Sequence, residues 1–120
     1  MTAVPKVILR GLTERDGHRS AWTGNDDETL VPQDRSNRGM GGFKGNVRLS
    51  NYVWLESRIN GLIESDAWWA GEARRLGLKI SRYDDPATVP VHHAVHGVCL
   101  LGDDGGVEIV GNLSTGFLPF

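Results

Sequence analysis

Apolar positions in this chain follow a helical period first and a strand period later. Val7, Ile8, Leu9 and Leu12 mark one face of a short helix over residues 5–15. Pro5 suits its first turn, and Asp16-Gly17 stops it. Arg19-Ser20-Ala21-Trp22 and Thr29-Leu30-Val31-Pro32 flank the polar stretch Thr23-Gly24-Asn25-Asp26-Asp27 and read as a hairpin. Residues 33–49 read as a Gly-rich, basic loop. Ser50 is a good N-cap for a helix reaching about residue 65, with Val53, Trp54, Ile59, Leu62 and Ile63 as its apolar positions. A second helix runs from Asp66 to about Leu76, closed by Gly77. From Leu78 the period becomes two. Leu78-Lys79-Ile80-Ser81 reads as a strand and Asp84-Asp85-Pro86 as a turn. Residues 95–101 and 107–110 then form a hairpin around Gly102-Asp103-Asp104-Gly105-Gly106. The expected class is α+β.

Composition narrows the function classes. At 120 residues the chain is expected to form one domain, with at most a short appendage. Thirteen Lys and Arg against fifteen Asp and Glu leave a charge of −2, which removes the simplest argument for a strongly basic nucleic-acid or membrane-surface binder. The apolar fraction of 39%, including four Trp, suffices for a core without covalent staples. The single cysteine, Cys99, excludes an intramolecular disulfide and a multi-cysteine zinc site, and reads as a small buried hydrophobe. No apolar run approaches the roughly 18–20 residues of a membrane span, and the N-terminus lacks a signal-peptide core. No membrane partner is expected, and the chain reads as a soluble, intracellular domain.

Several segments, in order, carry a family likeness. Glu14-Arg15-Asp16-Gly17-His18-Arg19 with Ser20-x-x-Thr23-Gly24 comes first, then Gln33-Asp34-Arg35 with Gly39-Met40-Gly41-Gly42. Asn51-Tyr52-Val53-Trp54-Leu55-Glu56-Ser57-Arg58-Ile59-Asn60 follows, then Ile63-Glu64-Ser65, Asp85-Pro86, Val89-Pro90-Val91, His96-Gly97-Val98 and Leu101-Gly102-Asp103. Across roughly residues 7–107 this resembles the HNH endonuclease (ββα-metal) family, and most of all the small HNH-like proteins of actinobacteria and their phages. The resemblance implies a ββα core over residues 1–83, with residues 84–120 as a C-terminal β-hairpin extension and apolar tail.

The resemblance also says what each position should hold: a metal ligand, a general-base His, an Asn that orients that His, and a third-position His or Asn. Here those positions carry Gln33, Asp34, Asn51 and Asn60. A neutral amide is a poor ligand for a hard cation, and a carboxylate with an ordinary pKa of about 3.9 is a feeble base at neutral pH. The structural-zinc positions of many members carry Ser20, Thr23, Glu56 and Ile59, and Ile59 binds no metal. The implied molecule is a degenerate nuclease with no catalytic residue, no metal and no cofactor. Burial of Trp22, Trp54, Ile59 and Leu62 would replace the zinc, at roughly 1.5–3 kcal/mol per large side chain.

Other features are weighed beside that. Arg35, Arg38, Lys44 and Arg48 are candidate phosphate contacts, against a plain reading as a solvated loop. Trp68 and Trp69, with Phe117 and Phe120 in the tail, are candidate interface residues. His92, His93 and His96 have no acid nearby in sequence and read as ordinary core or turn histidines; Asp103-Asp104 reads as a turn. A rebuilt metal site from Asp34, Asn60 and Glu64 is a minor alternative. Three functions follow. The first is an inactive phage or prophage protein reused as a structural or protein-interaction module, with a protein partner or self-association, in the bacterial cytoplasm or on the virion. The alternatives are a non-cleaving DNA-binding module and a divergent metal-dependent endonuclease.

Overall fold

Tyr52–Glu56 is buried at every position, and the rest of the chain is arranged around this strand. The computed structural model describes residues 4–36 and 47–111. In chain order the elements are α1 (Lys6–Asp16), β1 (Leu30–Asp34), a 3₁₀ turn (Leu49–Asn51), β2 (Tyr52–Glu56), α2 (Ser57–Ser65), α3 (Ala67–Arg75), β3 (Val91–His93), β4 (Gly97–Leu101) and β5 (Val107–Ile109). β1 and β2 pair antiparallel, Leu30 opposite Glu56 and Asp34 opposite Tyr52. β3, β4 and β5 form a second antiparallel sheet in that order. The described residues thus form a mixed α+β fold with three α-helices and two small sheets.

β2 separates two apolar clusters because alternate side chains leave a strand on opposite faces. Val53 and Leu55 join Ile59 and Ile63 of α2, Ala73 and Leu76 of α3, Leu78, and Val91, Cys99 and Leu101 of the second sheet. Tyr52 and Trp54 join Leu12 of α1, Leu30 and Leu49 on the other side. The first cluster draws residues from both sides of position 84. Trp22 leans on that cluster while Trp54 sits in the other, so the expected joint filling of one region by Trp22, Trp54 and Ile59 is instead divided between two.

Local signals explain the helices. Ile59 and Ile63 are four apart and share the buried face of α2. Asp66 caps α3, its carboxylate accepting from the backbone N–H of Trp68 (2.9 Å) and Trp69 (3.2 Å). Arg74 and Arg75 stand at its C-terminal end, where cations are favoured.

Three sequence expectations change. The hairpin expected between residues 19–22 and 29–32 is a β1–β2 pairing, and residues 19–22 are not a strand. Residues 52–56 are a strand rather than the start of a helix: buried on both faces, the strand lacks the polar alternation that marks a half-exposed one. Ser50 accordingly caps no helix. Residues 78–81 contribute a single parallel bridge between Ile80 and Ser36 rather than a strand. The helices at 6–16 and 67–75 and the hairpin of β4 and β5 stand where expected.

Gly77 ends α3 with φ +74°, and a Cβ there would lie 2.0 Å from the carbonyl oxygen of Pro90. Gly77→Ala therefore meets an unfavourable φ and a backbone clash together. It is expected to destabilise the fold by more than ~2 kcal/mol, read as a lower urea midpoint with unchanged slope.

Candidate functional site

The positions that the family likeness singles out converge on the β1–β2–α2 unit. Gln33 and Asp34 end β1, Asn51 precedes β2, and Asn60 lies on α2. The Asn51 amide is spent on one backbone unit: Oδ1 accepts the Ser36 N–H (2.8 Å) and Nδ2 donates to the Ser36 carbonyl (3.3 Å). It fixes the chain two residues beyond Asp34. Gln33 donates to the Asp34 carbonyl (3.1 Å). Asn60 Oδ1 is buried without a hydrogen-bond partner among the described residues, an arrangement that costs energy unless something fills it. Glu64 is exposed and pairs with Lys79 (3.4 Å).

Residues at the zinc positions that the likeness implies also meet. Ser20 Oγ accepts the backbone N–H of Trp22 and Thr23, each at 3.1 Å, and Thr23 Oγ1 donates to Glu56 Oε2 (2.7 Å). Ile59 packs into the core. One carboxylate, two hydroxyls and an aliphatic side chain are not a zinc donor set; a hydrogen bond and apolar contact join the loop to the hairpin instead.

Two of the candidate phosphate contacts are occupied internally. Arg35 is 1% exposed. Its Nε donates to Gly77 O, Nη1 to Ser50 O and Pro86 O, and Nη2 to Val89 O, all at 2.8 Å. That geometry corrects its reading as a phosphate contact, because the guanidinium cannot reach solvent. Burial pushes its pKa down to about 10, so it stays charged at neutral pH. Arg48 bridges Asp85 (2.9 Å) and Asp103 (2.8 Å), so its charge is already matched. Asp103 also accepts from Ser50 Oγ, and Asp104 holds the β4–β5 turn by accepting from Gly106 N–H (2.8 Å). Arg38 and Lys44 lie outside the described residues, as do Phe117 and Phe120.

Of the tryptophan pair, Trp69 packs on the core beside Trp22, ring centroids 5.1 Å apart. Trp68 is 64% exposed and meets Trp69 edge-on at 5.3 Å.

A cluster that the sequence reading missed lies at the end of α1. Asp16 is buried and accepts four hydrogen bonds: Arg15 Nε (2.8 Å) and His96 Nε2 (2.8 Å) on Oδ1, Arg15 Nη2 (2.7 Å) and His93 Nε2 (3.2 Å) on Oδ2. Arg15 also donates to the carbonyls of Leu49 (3.1 Å) and Tyr52 (2.7 Å). The acid that His93 and His96 seemed to lack therefore comes from nearly eighty residues upstream. One signal was legible: an Asp in the last turn of a helix opposes the helix dipole and needs other partners. Burial acts to raise the Asp16 pKa, but hydrogen bonds from Arg15 and His93, with the Arg15 charge, outweigh it and hold the carboxyl well below its usual range. Burial pushes His93 down, offset only in part by Asp16.

The tautomer of His93 follows from its neighbours. Val95 N–H donates to Nδ1 (3.1 Å), so the ring proton of the neutral imidazole sits on Nε2 and points at Asp16. The ligand atoms of Asp16, His93 and His96 lie within 4.8 Å of one another, close enough for a metal. The donor set nevertheless does not fit one. His93 Nε2 carries a hydrogen while Nδ1 is already an acceptor, and Arg15 occupies both carboxylate oxygens. Among the described residues no other group of three Asp, Glu, His or Cys side chains comes as close.

Compared with known proteins, the chain matches no family model, no curated protein and no solved structure.

Replacing the Arg35 guanidinium would strand four buried carbonyls. Arg35→Met is expected to lower stability by more than ~3 kcal/mol, at ~1–3 kcal/mol per buried group left unsatisfied, measured by denaturant unfolding.

Proposed function

We propose that this chain is a non-catalytic interaction module: an HNH-type ββα scaffold of phage or prophage origin that has kept its shape and given up its chemistry. One observation carries the reading. Two residue pairs far apart in sequence, Ser20/Thr23 and Glu56/Ile59, are joined by the 2.7 Å Thr23–Glu56 hydrogen bond and by apolar packing, where a metal-binding relative would use thiolates. The same logic holds at the hairpin. Asn51 still fixes the loop beyond Asp34, but position 34 offers a carboxylate in place of an imidazole base.

A protein partner or a second copy fits the surface better than DNA. Net charge is −2, Arg35 is sealed inside, Arg48 is paired with two aspartates, and Trp68 presents an exposed aromatic face on α3. A virion or capsid accessory role, or inhibition of another protein in the bacterial cytoplasm, suits such a module.

A second reading, a divergent metal-dependent nuclease, is favoured by the buried Asn60 Oδ1, without a partner among the described residues, at the third family position, where Asn is accepted. Supercoiled-plasmid nicking in Mg²⁺ or Mn²⁺ separates the two. The non-catalytic reading expects no nicking by the wild type and none by Asn60→Ala. Metal-dependent nicking that disappears in Asn60→Ala would replace it with the nuclease reading. A low-salt gel shift is expected to show no DNA complex, and a complex that weakens steeply with added salt would favour the DNA-binding alternative.

A further inference from the structure

We infer that the Asp16–His93–His96 cluster is an acid-operated latch of the β3–β4 turn, in which a neutral His93, anchored on Asp16, holds the turn's shape by accepting the Val95 N–H and a proton on His93 releases that bond. His93 is fully buried, and both ring nitrogens are committed in opposite senses: Nε2 donates to Asp16 and Nδ1 accepts from Val95 N–H. A second ring proton has one place to go, the Nδ1 lone pair. There it would point at the Val95 N–H, donor against donor, so the bond that shapes the turn must break. The imidazole couples protonation to backbone geometry by simple valence.

Charged and titratable groups surround His93. Arg15 and Asp16 approach from α1 and His96 from the turn; Cys99 interacts electrostatically with Arg15 and Asp16, and Arg35 with Arg15 and Cys99. Burial pushes the Cys99 thiol up to about 11, so it stays neutral throughout. His96 is part-exposed and uses Nε2 on Asp16. Its ring lies beside that of His93, centroids 4.7 Å apart, and positive charge there opposes a second proton on His93. Arg15 acts in the same direction.

The sign is fixed by linkage. His93 binds its proton less readily folded than unfolded, so stability is complete above the ordinary histidine value of about 6.5 and falls as pH drops through it. One proton changes the folding equilibrium at most about tenfold per pH unit. Asp16, lowered in the fold, keeps its contribution until pH falls below the ordinary carboxylate range, so it does not account for a loss near pH 6.

The test is ¹⁵N–¹H NMR of the histidine rings in the full chain between pH 8 and 4.5, with amide exchange of Val95 followed in parallel. At pH 7.5 His93 is expected to be neutral with its proton on Nε2. On acidification it should protonate below the ordinary histidine range, while protection of the Val95 amide, corrected for intrinsic exchange, drops at least ~10-fold. His93→Gln keeps a donor toward Asp16 but cannot titrate, and its stability should fall less steeply than the wild type's between pH 7 and 5, keeping the share due to His92, which burial also holds below its ordinary value. If that variant does not fold, the wild-type ring and amide signals decide alone. A proton on Nδ1 at neutral pH, a His93 that titrates with Val95 still protected, or Zn²⁺ at neutral pH shifting the ring nitrogens of both His93 and His96 would each overturn the latch.

Discussion

The Arg35 guanidinium is the constraint on which the rest of this molecule depends. A buried cation is tolerated only where its donors are met, and here four carbonyl oxygens, not a carboxylate, meet them. Those carbonyls belong to Gly77 at the end of α3, Ser50 before β2, and Pro86 and Val89 in the segment leading to β3. The backbone of Arg35 adds bonds to Asn51 and Ile80. One side chain therefore fixes the relative positions of both sheets and the helix between them. Segments without regular hydrogen-bonded structure, residues 76–90 above all, hold their course because their carbonyls have this partner.

A similar economy runs through the positions where chemistry would be sought. Asn51, Glu56, Asp103 and Asp16 all point inward or across, and each is spent on backbone or on a neighbouring side chain. Asp16 ties the end of α1 to His93 and His96 as Arg35 ties the end of α3 to Ser50, Pro86 and Val89. Polar side chains of this kind act as cross-links, and their hydrogen bonds are directional enough to fix one arrangement among several that apolar burial alone would allow. Asn60 Oδ1, Glu56 Oε1 and the exposed Trp68 stand apart from this economy, and Asn60 and Trp68 carry opposite readings of function.

Legibility followed the locality of the signal. The helices at 6–16 and 67–75 were readable because their punctuation is local: Pro5, the Asp66 cap, Gly77. The turn at residues 102–106 was readable for the same reason. β2 was not, because a strand buried on both faces loses its alternation, and Ser50 beside it offers a plausible cap for a helix that does not form there. Among the candidate site residues, the family likeness singled out the pairs Ser20/Thr23 and Glu56/Ile59, and Thr23 and Glu56 share a hydrogen bond. Arg35 was misjudged. A basic residue in a Gly-rich segment looks like a surface cation, and nothing local announces that four carbonyls await it.

By itself, then, the sequence determined the α+β class, the ends of two helices, the last hairpin, and the want of cysteine ligands, since each depends on residues adjacent in the chain or on composition alone. Tertiary structure decided which strand pairs with β1, that Arg35 is a core residue, and that Asp16 is the acid for His93 and His96. Those outcomes rest on contacts between residues from 15 to 80 apart, and the free energy that selects them comes from burying polar groups only where their partners are waiting.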